Sequence, residues 1–190
     1  MRANSWLRNP LSAAFAAAAF SAALSLAPTA DAALKEGSQA PDFTTTAALG
    51  GASFTFKLSE ALKKGPVVLY FFPAAFTSGC TVEAHEFAEA TADFTKLGAT
   101  VIGVPAGNVE RVAEFSKVEC RDKFAVAADP GAKIAAQYQS TLIMRPGWSD
   151  RTSYVIAPSG KILLTYSDLS PNKHVEKTLA AVQAWKSGAK

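Results

Sequence analysis

Six consecutive residues, Val67-Val68-Leu69-Tyr70-Phe71-Phe72, are all aliphatic or aromatic. A strand with one face in water alternates polar and apolar residues, and this run does not. It predicts a strand covered on both faces, which needs helices on either side of a sheet. Pro73 and Gly79 then mark a loop. Over residues 81–97 the apolar Val82, Phe87, Ala90 and Phe94 recur at helical spacing, and Gly98 supplies a stop.

The remaining chain continues this alternation. Residues 40–43 open an extended stretch that 54–58 can pair with as a hairpin. Residues 100–104 read as a strand, 108–118 as a helix capped by Asn108, and 124–128 as a short strand. Asp129-Pro130 opens a helix through Tyr138, with Pro130 at its first position. Residues 154–157 and 161–166 form a hairpin over Pro158-Ser159-Gly160, and 172–185 close the chain as an amphipathic helix. There is no internal repeat or long linker. The order resembles a thioredoxin-like fold: an α/β domain with a mixed central sheet flanked by helices and an N-terminal β-hairpin extension.

Residues 1–32 differ from the rest. Arg2 and Arg8 form a basic start, residues 11–27 carry no charge, and Ala30 and Ala32 give a small-x-small cleavage pattern. The expectation is a secretory signal peptide cut after Ala32, leaving 33–190 as one soluble domain in the periplasm or outside the cell. A membrane anchor is the alternative. The apolar run is mostly alanine broken by Ser12, Ser21 and Ser25, a weak spanning segment, so no stable membrane insertion is expected after cleavage. A net charge of +3 with no Lys/Arg run argues against a nucleic-acid partner.

The chain has two cysteines, Cys80 and Cys120. In an exported protein the ordinary reading is one structural disulfide. Cys80, however, follows a buried strand, where ligand sites of α/β sheets collect. It also begins a helix, whose positive end and free N–H groups favour a thiolate. Thr77, three residues earlier, can offer a hydroxyl to the sulfur or to a bound oxygen.

Pro73-x-x-x-Thr77-x-x-Cys80 matches the Pro-x-x-x-Thr-x-x-Cys signature of peroxiredoxins. The wider run through Thr81-Val82-Glu83-Ala84 resembles the Q-type, or bacterioferritin-comigratory-protein, branch. Ala40-Pro41-Asp42-Phe43, Ala128-Asp129-Pro130 and Arg151-Thr152-Ser153-Tyr154-Val155-Ile156 fit further family segments in the same order. The resemblance implies a thiol-dependent peroxidase that reduces hydrogen peroxide and organic hydroperoxides through a cysteine sulfenic acid. It makes Cys80 the peroxidatic nucleophile and Arg151 the cation that holds the thiolate. Thr77 would bond the substrate oxygen, Pro73 would shield the pocket, and Glu83 would position Arg151. Each of these residues also has an ordinary structural role to weigh: surface ion pair, cap, loop stiffener or solvated acid. A thioredoxin-like or other dithiol reductant is the implied partner. No cofactor is implied, and His85, His174 and the cysteines lack metal-ligand spacing.

Many Q-type members carry a resolving cysteine five residues after the first, where this chain has His85. His85 reads as a surface or half-buried helix residue. Some members carry the resolving cysteine on a later helix. The resemblance therefore assigns that role to Cys120, through an intramolecular Cys80–Cys120 disulfide. Cys120 lies in the charged run 118–123, which reads as exposed, with Arg121 and Lys123 making its thiol a better leaving group. A one-cysteine cycle resolved by an external thiol is the alternative. Further alternatives are an exported thiol–disulfide oxidoreductase, although Thr77 stands where Cys-x-x-Cys needs a cysteine, and a non-enzymatic redox sensor. Monomer and weak dimer both stay open.

Overall fold

The computed structural model describes residues 33–188. The expected signal peptide lies outside them. The strand predicted first is β3, Val67–Ala74, and its first six residues are fully buried. Around it the sheet contains β1 (Thr44–Leu49), β2 (Ala52–Lys57), β4 (Thr100–Gly107), β5 (Ala125–Ala127), β6 (Thr152–Ile156) and β7 (Ile162–Ser167). The order is β2-β1-β5-β4-β3-β6-β7 in one seven-stranded sheet. β3 and β5 run parallel to β4, while β6 runs antiparallel to β3 and the two edge pairs are antiparallel. This is the mixed α/β architecture the pattern predicts.

The continuous apolar run is explained by two cores. Val67, Leu69 and Phe71 point to one side, with Tyr138, Tyr154 and Ile156. Short helices α1 (Leu58–Leu62) and α4 (Lys133–Gln137) contribute Leu58, Leu62, Ile134 and Ala135 there. Val68, Tyr70 and Phe72 point to the other, under α2 (Ser78–Lys96), α3 (Val112–Val118) and α5 (His174–Ser187). The strand period of two sorts the side chains, and both sets are apolar because both faces are covered.

Several local expectations are corrected. The N-terminal hairpin pairs Thr44–Leu49 with Ala52–Lys57, so residues 40–43 precede it rather than pair in it. Its two-residue turn is Gly50-Gly51, both at positive φ (57° and 83°), as a twisted hairpin requires. Asn108 does not cap a helix. It is left-handed (φ 55°), a 3₁₀ turn of Val109–Arg111 follows, and α3 begins at Val112. Pro130 is not a first helical residue either. Asp129 instead reaches forward, its carboxylate accepting the N–H groups of Ile134 (2.9 Å) and Ala135 (2.8 Å) in the first turn of α4. Gly98 does follow the end of α2 at φ 81°.

Candidate active site

Cys80 is the third residue of α2 and is 1% exposed. The helix begins three residues earlier than its apolar periodicity suggests, because Thr77 already holds extended geometry (φ −94°, ψ 149°) and its carbonyl accepts the Thr81 N–H at 2.9 Å. The amides of Ser78, Gly79 and Cys80 thus have no partner within the helix, at the end that carries Cys80. The loop leading in is fixed from three directions. Ala75 N–H donates to the Gly107 carbonyl (3.2 Å), Asn108 Nδ2 donates to the Ala75 carbonyl (2.8 Å), and Ser149 Oγ donates to the Phe72 carbonyl (2.7 Å). Phe76, at φ 60°, packs edge-on against Phe115 and under the Arg111 guanidinium. Pro73 lies near the end of β3, past the last residue paired with β6, so its missing N–H breaks no bond of that ladder.

Arg151 stands just before β6 and is 5% exposed. Its Nη2 approaches Cys80 Sγ at 3.4 Å, its Nη1 binds Glu83 Oε2, and its Nε donates to the Leu169 carbonyl at 2.9 Å. Three anchors fix the plane of the guanidinium. At an effective dielectric of about 20, a charge pair at this distance attracts by about 5 kcal/mol, against about 2 kcal/mol at most for a helix terminus. A thiolate at Cys80 would therefore draw more from Arg151 than from the helix terminus. Gly79 makes room for it, since a Cβ there would sit 3.2 Å from Nη2. The Thr77 hydroxyl donates to the Ala74 carbonyl (3.1 Å) rather than capping the helix. With its hydrogen so placed, it presents lone pairs that can accept from a peroxide O–H.

Glu83 is fully buried one turn along α2. Burial pushes its carboxyl up to about 8 against the pull of Arg151. Two residues of this region, His174 and Ser153, carry no site role in the sequence reading. His174, at the start of α5, is buried with Nδ1 3.6 Å from Glu83 Oε1 and 2.8 Å from Ser153 Oγ. These contacts join residues far apart in the chain. The only local sign was a serine inside an apolar strand.

The structure corrects the reading of Cys120. Its neighbours Arg121, Asp122 and Lys123 are exposed, but Cys120 itself is fully buried in the same apolar cluster as Cys80. Left-handed Arg121 and Asp122 (φ 52° and 58°) turn the chain there, so the flanking charges point away from the thiol. Arg121 pairs with Glu89 of α2 at 3.3 Å. Burial, and secondarily Glu119, hold the Cys120 thiol above its ordinary range, opposite to the expected activation. His85 is half-buried, as expected, and its Nε2 meets Glu119 at 2.8 Å, linking α2 to the residue before Cys120. Tyr70, from β3, is fully buried, with its ring stacked on Phe87 (4.3 Å between centroids). Its phenol is pushed well up by burial and then by Cys120, Glu83 and Cys80 in turn.

Residues 37–165 match the model of the AhpC/TSA family. The chain is a peroxiredoxin of that family. Its likeness is to the Q-type, bacterioferritin-comigratory branch. Chloroplastic peroxiredoxin Q of Oryza sativa subsp. japonica is 32% identical over 152 residues, covering 80% of this chain and 68% of that protein. The crystal structure of peroxidoxin BcpB from Mycobacterium tuberculosis superposes with a TM-score of 0.71 at 32% identity, covering 80% of this chain and 97% of that one. A reduced 2-Cys peroxiredoxin of Plasmodium vivax shares the fold at a TM-score of 0.73 but only 20% identity. The peroxiredoxin is thus a thiol-dependent peroxidase enzyme, of a family that takes peroxide substrates and thioredoxin-type reductants.

Proposed function

We propose that Cys80 is the thiol that reduces peroxide and that Arg151 makes it able to. The observation that carries this is the buried guanidinium 3.4 Å from Cys80 Sγ, held on its other edges by Glu83 and the Leu169 carbonyl. The thiolate sulfur attacks one peroxide oxygen. The S–O bond forms as the O–O bond breaks, sulfur is oxidised to sulfenic acid, and the leaving alkoxide or hydroxide takes a proton. Arg151 faces both the thiolate and the charge that develops on the leaving oxygen. Thr77 accepts the peroxide O–H, and Pro73 screens the loop side of the pocket.

Cys120 then resolves the sulfenic acid. Its thiolate attacks Cys80 Sγ, water leaves, and a Cys80–Cys120 disulfide results, which a dithiol reductant returns to two thiols. Cys120 is buried, so the 119–123 segment must open first. That burial also favours a second reading, in which an external thiol resolves Cys80 directly. Mass mapping under non-reducing conditions, after one equivalent of hydrogen peroxide, separates the two. A cross-linked Cys80–Cys120 peptide pair is expected. A sulfenic acid that persists at Cys80 beside a free Cys120 overturns the resolving role. Cys120→Ser should block the cross-link and leave the first peroxide reaction intact, while Cys80→Ser should abolish both.

We also propose that residues 1–32 direct export and are removed after Ala32, so that the enzyme works in the periplasm or outside the cell. Mass spectrometry of protein from its native host tests this, and a mature chain beginning at Met1 would refute it. Among the described residues no helix is long and apolar enough to cross a membrane.

A further inference from the structure

Glu83 Oε1 is buried and has no hydrogen-bond partner, although Oε2 of the same carboxyl is bound by Arg151. His174 Nδ1 lies 3.6 Å from Oε1. The other ring nitrogen, Nε2, lies 3.0 Å from the Asp168 carbonyl oxygen. A carbonyl can only accept, so Nε2 carries the hydrogen. In the neutral ring Nδ1 is then a bare lone pair aimed between Ser153 Oγ (2.8 Å) and Glu83 Oε1. The Ser153 hydroxyl can satisfy that lone pair, but a carboxylate Oε1 facing it out of water has no donor at all. One proton placed between them removes the conflict. It can sit on Oε1 and point at Nδ1, or sit on Nδ1 and point at Oε1. The Ser153 hydroxyl suits both positions, because it turns to donate to a bare Nδ1 or to accept from a protonated one.

We propose that Glu83 and His174 share one buried proton, held between Oε1 and Nδ1, and that this proton keeps Glu83 from competing with the Cys80 thiolate for Arg151. His174 is thus a positioning residue for the peroxidase reaction, and the inference rests on the reading of Cys80 as the attacking thiol. The groups facing Glu83 are Glu86 on its own helix, Tyr70 on β3 and Arg151 before β6. His174 faces Arg151 and Asp168, with the Tyr166 ring of β7 edge-on at 4.7 Å. Among these groups, Arg151 is the one fixed cation, and thiolate and carboxylate cannot both neutralise it. Burial raises Glu83 and lowers His174, in keeping with one proton on the pair near neutral pH. The charge then balances through the reaction. Before it, the thiolate offsets Arg151 and the Glu83–His174 pair is neutral. After it, sulfur is a neutral sulfenic acid and the pair has given up its proton. The Glu83 carboxylate then offsets Arg151. The net proton taken by the leaving alkoxide equals the one released.

Infrared difference spectroscopy on Cys120→Ser protein, in which the sulfenic acid has no internal thiol to meet, tests this. Reduced minus peroxide-treated protein should show loss of a protonated-carboxyl band, absent from the additional Glu83→Gln variant. Two substitutions at His174 separate proton sharing from a structural tie. His174→Gln keeps a donor for the Asp168 carbonyl but has no acceptor at Nδ1. It should lose the band, with the peroxide rate at neutral pH falling about tenfold, the effect of about one pH unit on a coupled group. His174→Asn places its Oδ1 where Nδ1 stands and should restore both. The reverse order, Gln active and Asn impaired, shows that His174 only ties α5 to Asp168 and overturns the proposal. So does a difference spectrum without a carboxyl band. If Cys80 proves inert to peroxide, raising the pH of reduced protein past about 8 still reads the proton directly, as loss of the same band. The peroxidase reading and the proton-sharing proposal therefore fail separately.

Discussion

Replacing Glu83 by Gln should stabilise the reduced protein, and by more as the pH rises towards 8. Burial pushes the Glu83 carboxyl from an ordinary 4.5 up to about 8, despite Arg151. The folded state therefore binds a proton that the unfolded state has lost between those two values. Stability from this group is complete below about 4.5 and is lost as the pH climbs through about 8. The loss runs at about 1.4 kcal/mol per pH unit. Glutamine has the same shape, can still accept from Arg151 and never ionises, so its protein lacks this slope. His174 complicates the acid side, because its depressed titration adds stability as the pH rises through its ordinary 6.5. The clean window is therefore pH 6.5 to 8. Across that window the stability of Glu83→Gln relative to wild type should grow by about 2 kcal/mol and then level off. Urea unfolding of the reduced proteins at fixed pH values measures it. A difference that is flat, or that shrinks with rising pH, would show that Arg151 outweighs burial and that Glu83 is a carboxylate throughout. Glu83 would then compete with the Cys80 thiolate for Arg151 at every pH.

Removing the cation with Arg151→Met should lower the rate of the first peroxide reaction about a hundredfold to a thousandfold, the scale of losing a preorganised charge, as read by stopped-flow fluorescence. Trp148 packs beside Gly107, next to the loop that carries Cys80, and can report this step. Gly79→Ala sets a Cβ 3.2 Å from Arg151 Nη2. Because a 1 Å misplacement costs about a hundredfold, this smaller displacement should slow the same step by up to about tenfold with little change in unfolding midpoint. His85→Ala removes the 2.8 Å contact to Glu119 and frees the segment before Cys120. For a partly exposed pair worth about 0.5 kcal/mol, disulfide formation should accelerate about twofold, measured by quenched-flow thiol trapping.

The sheet was legible because β3 is apolar at every position, and only a doubly covered strand can be. Gly98 marks a helix end by a conformation that other residues resist. The site was legible in part. Cys80 and Thr77 share one local motif, but Arg151 could be joined to them only through a family likeness, since seventy-one residues separate it from the sulfur it touches. His174 and Ser153 were given no site role because their contact, and the approach of His174 to Glu83, depend on how α5 docks across β6. Cys120 was misjudged for a different reason. Charged neighbours suggested an exposed segment, yet two left-handed residues send the charges outward while the sulfur stays in the core. The helix starts were misplaced at Asn108 and Pro130 because the Asn108 side chain donates to the Ala75 carbonyl instead of capping a helix, and the Asp129 carboxylate accepts the first-turn N–H groups of Ile134 and Ala135.

The central claim is that Arg151 and the folded site around it turn Cys80 into a peroxide-reducing thiol. Stopped-flow mixing of the reduced Cys120→Ser protein with hydrogen peroxide tests it most directly, because Cys80 is then the only thiol. Reaction should be second order and at least about a thousandfold faster than for the same protein unfolded in urea, with sulfenic acid trapped at Cys80. Equal rates for the folded and unfolded chains would contradict the account.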